Sequence, residues 1–276
     1  MSRLWRDRLL ISLAPGAVAL ARIAGGLRPR LAGRQVLDCD PAFGAEPWQG
    51  AVAAVGSAVE ALRGTRMSAT VVLSNHFARY AIVPFDAAVA GPEEELALAR
   101  FHFSKVHGER ANGWDIRLSE EPRGAPRLAS AVDAGLIEAI RGRFPAGGNL
   151  RLVSVQPYLM SAFNLWRRHL ARDSWLLLVE PRQACCALLG ARKWLAVRAA
   201  RGDFSTAGAW AALLDRELLR TEAAPAAHTA LVHAPGSRKS VNEEAQGWKF
   251  LSLALPALEG FLPLEDTRFA MALTAR

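Results

Sequence analysis

Leu9-Leu-Ile-Ser-Leu-Ala14, then Pro15-Gly16, then Ala17-Val-Ala-Leu-Ala-Arg-Ile-Ala24: two apolar runs of strand length with a reversal dipeptide between them. Such runs read as β-strands, and Pro-Gly marks the turn that joins them. A third strand candidate, residues 34–39, follows Gly33, so the segment is an antiparallel meander. The same order returns at residues 175–180 (WLLLVE), 184–189 (ACCALL) and 194–200 (WLAVRAA), turned at Pro181-Arg182 and at Gly190-Ala191.

A helix follows each meander. Trp48, Val52, Val55, Val59 and Leu62 fall on one apolar helical face, with Pro47 suited to the first turn and Gly64 to the stop. After the second meander, Ser205 or Thr206 can cap a helix in which Trp210, Leu213, Leu214 and Leu218 share a face. Strand, strand, strand, helix therefore occurs twice in one chain.

Between the copies, residues 70–74 and 79–84 read as strands, and 93–105 as a helix opened by Pro92 and an acidic first turn. Residues 108–126, rich in Gly, Pro and charge, are expected to form a loop or crossover. Residues 127–132 and 150–155 read as strands, and 134–144 as a helix. A second helix is expected over 156–170, with Leu159, Phe163 and Trp166 as ordinary core. A last strand is expected at 228–233, followed by a polar stretch at 237–247. The expected division is a first lobe at 1–126 and a second at 127–276.

At 276 residues, with 51% apolar and 22% charged side chains, the chain is globular and long enough for two cores. Lys and Arg number 34 against 26 Asp and Glu, a formal charge of +8 that favours anionic neighbours. The basic residues Arg3, Arg6, Arg8, Arg28, Arg30, Arg63, Arg66, Arg192 and Arg201 are spread without a dense run or an aromatic ladder, which disfavours nucleic acid. Three cysteines without framework spacing indicate a reducing compartment. Cys185 and Cys186, adjacent on a strand, point to opposite faces and cannot clasp one metal. Arg3, Arg6 and Arg8 ahead of an apolar stretch outline a secretory leader, but Asp7 and the Pro15-Gly16 break argue against one. No uninterrupted apolar run reaches the ~18 residues of a membrane span.

A duplicated meander and helix, together with the run Val71-Val-Leu-Ser-Asn-His-Phe-Ala-Arg-Tyr-Ala-Ile-Val-Pro84, resembles the actin-like ATPase superfamily, the ribonuclease H-like fold. Within it the chain is similar to PilM and to the cytoplasmic part of GspL, from type IV pilus and type II secretion machines. The resemblance implies an α/β, two-lobed actin-like fold with mixed sheets flanked by helices. It also implies where nucleotide would sit. Nucleotide-binding members place an Asp and small residues in the turn after the first strand. Here that stretch is Ser12-Leu-Ala-Pro15-Gly16-Ala17, with no acid, and Pro15 removes an amide donor. The second phosphate turn, an acidic residue followed by Gly in the family, corresponds to Glu180-Pro181-Arg182-Gln183. The adenosine region keeps only Gly202 after Arg201.

Ser12, Pro15, Gly16, Glu180, Pro181 and Gly202 are therefore expected to mark a vestigial nucleotide site. No catalytic residues and no metal are expected, and ATP with magnesium is disfavoured because magnesium wants oxygen ligands. The same gap excludes a two-metal nuclease. Ser74 and His76 lack an orienting acid and nucleophile-elbow glycines, which excludes a hydrolase reading. His102 and His107 diverge on a helix, and Gly236-Ser-Arg-Lys-Ser240 lacks the Gly-Lys pair of a phosphate-binding loop.

The function implied is a non-enzymatic cytoplasmic scaffold, peripheral to the inner membrane of a pilus or secretion platform. Its expected partner is the cytoplasmic tail of an inner-membrane protein, held in a groove formed by the 69–85 strand pair and the 47–63 helix. The motor ATPase of the same machine and a second copy are further partners, and no nucleic acid is expected. The alternatives are a diverged actin-like ATPase or small-molecule kinase that still binds ATP, and a nucleic-acid-binding relative of the ribonuclease H fold.

Overall fold

The computed structural model describes residues 6–89, 91–122, 124–170, 174–190, 193–221, 228–236, 242–263 and 265–276. In chain order, the first stretch gives β1 (Arg8–Ala14), β2 (Ala17–Ala24), β3 (Arg30–Asp38), α1 (Gln49–Ala61), β4 (Met67–Leu73) and β5 (Ala78–Val83). The middle gives α2 (Pro92–His107), β6 (Trp114–Leu118), β7 (Arg127–Asp133), α3 (Ala134–Gly142), β8 (Leu150–Pro157) and α4 (Tyr158–Trp166). There follow β9 (Ser174–Glu180), β10 (Gln183–Gly190), β11 (Lys193–Arg201), α5 (Ala207–Leu218), β12 (Thr229–His233), β13 (Asn242–Ala245), β14 (Trp248–Ser252) and α6 (Ala270–Leu273).

The chain forms two compact units: residues 1–77, 135–165 and 254–276 make one, and 78–134 and 166–253 the other. This differs from a single cut at 126. Strand β8 returns to pair in parallel with β4, and the C-terminal segment packs on the first meander, so both belong to the first unit. Periodicity reveals an element but not the neighbour it will find across a hundred residues.

In the first unit the sheet order is β3-β2-β1-β4-β8. The meander β1–β3 is antiparallel and β1-β4-β8 is parallel. The interior of β1 is buried throughout, as a strand covered on both faces must be. Leu10, Ala19, Ala21 and Ile23 face Leu258, Phe261, Phe269, Ala272 and Leu273 of the C-terminal segment. Leu9, Ile11 and Leu13, also buried, take the other face. Helix α1 packs on β1 and β2 and buries Ala51, Val52, Val55, Ala58 and Val59, the face its spacing predicts.

The C-terminal segment is tied down by polar contacts as well. Leu31 N donates to Glu259 O at 2.8 Å, Arg34 pairs with Asp266, Arg268 pairs with Asp38, and the Ser161 and Thr274 hydroxyls meet at 2.7 Å.

The second unit repeats the plan. Its six-stranded sheet runs β11-β10-β9-β12-β14-β13, with β9–β11 antiparallel and β9-β12-β14 parallel. The first five strands match the first unit's order and directions. Helix α5, capped by Thr206, whose hydroxyl accepts from Ala209 N, packs Trp210, Leu213 and Leu214 onto Trp175, Leu177, Cys186, Trp248 and Phe250. Cys185 lies opposite Leu178, and Cys186 opposite Leu177 on the helix-covered face, so the two thiols do point to opposite faces.

A small sheet, β5-β7-β6, carries α2 through Val83, Ala99, Phe103, Ile116, Ala129 and Ala131. Here two expectations fail. Residues 108–126 are not all loop: a 3-10 turn (Gly108–Gly113) leads into β6, an edge strand in which only Ile116 is buried, so no apolar run announces it. Nor do the strands within 69–85 pair with each other. Strand β4 lies in the five-stranded sheet, whereas β5 pairs antiparallel with β7. The polar stretch expected at 237–247 ends in strand β13. Its residues 237–241, with the Gly236–Ser240 loop beyond Gly236, lie outside the described residues, as do Arg3, Arg192 and the Ala191 turn.

Candidate functional site

Ser12, Pro15 and Gly16 lie on the hairpin of the first unit. Ser12 is not in the turn: it is 3% exposed within β1, opposite Ala19 and beside Val72. Pro15-Gly16 is the whole turn, closed by the Ala14–Ala17 pair. Gly16 is not in the left-handed region, and its carbonyl accepts from Cys39 N at 3.0 Å, which ties the turn to the residue after β3. A turn of two residues, one without an amide, cannot wrap backbone donors round a phosphate.

Glu180, Pro181 and Gly202 come together in the second unit. Glu180 and Gln183 close the β9–β10 hairpin and are both buried, with Pro181-Arg182 at its tip. Arg182 has φ 60°, a region where glycine is at ease and an L-residue costs about 1–2 kcal/mol. Gly202, φ 156°, donates its amide to the Arg182 carbonyl at 3.1 Å. An arginine thus holds, at the tip of this turn, a conformation that glycine favours. Gln183 Nε2 is buried without a hydrogen-bond partner among the described residues.

Glu180 is the one carboxylate among these six positions. Neither the Ser12–Gly16 stretch nor its strand offers a carboxylate, and the tip of the second turn presents an arginine. No three His, Cys, Asp or Glu side chains gather into a metal-binding group among the described residues.

The Ser74 hydroxyl accepts from His76 N at 3.2 Å and holds the turn after β4. His102 contacts Phe101, whereas His107 lies edge-on to Trp114 at 5.0 Å, so the two rings have different surroundings. Burial, with Arg79 nearby, lowers the His107 pKa. His233 is buried beside Trp166 at 4.7 Å, and desolvation pushes its pKa down to about 3. Cys186 is driven up to about 12 and Cys185 is also raised, chiefly by burial, so neither is a nucleophile at neutral pH.

One feature escapes a linear reading. Arg6, Arg8 and Arg66, far apart in sequence, join Arg151 around a cavity of about 1220 Å³ in the first unit. Strand register brings them together: Arg8 lies beside Ser68, and Ser68 beside Arg151.

No family model matches the chain, and no curated protein does. Solved structures do. The cytoplasmic domain of EpsL, an inner-membrane component of the type II secretion system of Vibrio cholerae, aligns over 98% of this chain and 96% of its own, with TM-score 0.56 at 11% identity. A Bacteroides thetaiotaomicron protein of actin-like ATPase fold and unknown function aligns over 84% of each chain, with TM-score 0.53 at 8% identity. A PilM-PilN type IV pilus biogenesis complex matches 77% of this chain at 20% identity and TM-score 0.49, and the match spans 66% of that chain's length. The fold is actin-like, as the duplicated meander implies.

Proposed function

We propose that this protein is a non-enzymatic scaffold of a bacterial inner-membrane assembly platform, of the type II secretion or type IV pilus kind. It works at the cytoplasmic face and binds the cytoplasmic tail of a membrane partner. The observation that carries the reading is the Ser12–Gly16 hairpin: a buried serine and a two-residue Pro-Gly turn stand where nucleotide-binding relatives need an acid and backbone donors. The whole-length likeness to the EpsL cytoplasmic domain supports the kind of machine. No described helix is long and apolar enough to cross a membrane. On this reading Ser12, Pro15, Gly16, Glu180, Pro181 and Gly202 are remnants of a nucleotide site.

Calorimetric titration with Mg-ATP tests the reading. The expected result is no saturable heat, with an inner-membrane assembly protein recovered on the scaffold from the native membrane fraction. Saturable Mg-ATP binding would favour the second reading, a diverged actin-like ATPase or kinase, for which the buried Glu180 at the β9–β10 hairpin is the one supporting feature.

A further inference from the structure

The cavity of the first unit has a definite chemistry. Its floor is the part of the β1-β4-β8 face beside the C-terminal segment, which covers Leu10 on the same face, with Ser68, Thr70, Ser154 and Gln156 across it. Arg6, Arg8, Arg66 and Arg151 surround that neutral floor, and no Asp or Glu among the described residues lines the cavity. None of these four arginines forms an ion pair among the described residues. Asp7, the nearest acid in sequence, is taken by Arg22 at 2.6 Å and by Gly25 N at 3.1 Å. Arg276, beside the lining residue Ala275, donates to the Pro256 and Ala257 carbonyls, and its pKa is lowered by burial and by Arg8. Unpaired like charges held on one concavity repel one another, and an anionic occupant relieves that cost.

The occupant's form follows from the strands. Strand β8 is the outer strand of its sheet, and no strand pairs with its other edge among the described residues. An open edge accepts an extended peptide through backbone hydrogen bonds, with alternate side chains directed to one face. Arg151 lies on β8 itself, and Arg66 directly precedes β4, the next strand in, so both guanidiniums lie on the β8 side of the cavity, whereas Arg8 is two strand spacings of about 4.8 Å further in than Arg151. Leu27, 89% exposed, and Val153, 57% exposed at a bulge between β4 and β8, give apolar contacts on the lining. Among the described residues no aromatic side chain lines the cavity to stack nucleic-acid bases. A concave wall of arginines also suits a chain laid into it better than a flat bilayer.

We propose that this trough docks an extended acidic peptide segment, laid along the edge of β8 with its carboxylates against Arg66 and Arg151. The site goes beyond the scaffold reading and does not depend on the hairpin turns. A protein that bound both Mg-ATP and the acidic peptide would overturn the scaffold reading alone.

The test is fluorescence anisotropy with a labelled peptide of alternating glutamate and leucine. The expected result is saturable binding that weakens as salt rises and falls by about tenfold or more in Arg66→Glu/Arg151→Glu. The control Lys105→Glu/Arg110→Glu, with the same change in net charge on exposed residues of α2 and the turn after it, retains binding. Equal loss in both double variants, or no saturable peptide binding at all, overturns the proposal. So does tighter, Arg66- and Arg151-dependent binding of phosphatidylglycerol vesicles or of a single-stranded oligonucleotide than of the peptide.

Discussion

Gly202 donates its backbone amide to the carbonyl of Arg182 at 3.1 Å, fastening the end of β11 to the tip of the β9–β10 hairpin. Arg182 holds φ 60° without being glycine, and Gly202 holds φ 156° with a phantom Cβ 3.4 Å from the Phe204 ring. Arg182→Gly relieves about 1–2 kcal/mol of left-handed strain and adds roughly 0.4–1 kcal/mol of unfolded-state entropy. The net expectation is a gain of about 1 kcal/mol in urea unfolding. Gly202→Ala is expected to cost about 1 kcal/mol or more.

His233 makes stability depend on pH. Its native pKa is about 3 against 6.5 for the free side chain. The unfolded chain therefore takes up a proton that the native state refuses. The contribution is fully present above pH 6.5 and is lost as pH falls toward 3, at up to about 1.4 kcal/mol per unit, or about 2 kcal/mol by pH 5. Unfolding of wild type and His233→Leu at pH 7 and pH 5 checks this, with the variant losing less on acidification.

The three thiols separate by burial. Cys39 is half-buried, and Cys185 and Cys186 are buried. Reaction with a thiol reagent is expected to label one cysteine in the native protein and three after denaturation. Burial raises the Cys39 pKa, so its labelling accelerates as pH rises toward and past 9.

Asp266 anchors the C-terminal segment. It accepts from Leu262 N at 2.9 Å and pairs with Arg34 of β3, with its own side chain 6% exposed. Asp266→Ala removes the carboxylate that accepts from this amide and pairs with Arg34, and is expected to lower stability by about 2 kcal/mol. Asp266→Asn keeps an acceptor for that amide and costs less. Thermal melts of the two variants give the comparison.

The meanders were legible because their signals are local. Leu9 to Ala24 carries its own strand lengths and turn dipeptide, and Val52, Val55 and Val59 carry their own helical period. Residues 114–118 were not legible, since an edge strand that buries only Ile116 has no apolar run to show. The paired reading of 69–85 failed for a related reason: two strands with a short connection look like a hairpin, yet β4 pairs with β1 and β8 while β5 pairs with β7. At the candidate site, the missing acid at Ser12–Gly16 was plain in the residues. The left-handed Arg182, the Gly202 contact and the arginine trough were not.

By itself the sequence determined that this chain folds as a duplicated meander-and-helix protein and that its first hairpin lacks a carboxylate, since residue type and spacing within a few turns of chain suffice for both. Only the tertiary structure decided that β8 closes the first sheet and that the last residues cover it. Parallel pairing of β1, β4 and β8 sets residues 8, 68 and 151 in one row. That row exists because hydrogen-bond register joins strands that sequence distance keeps apart.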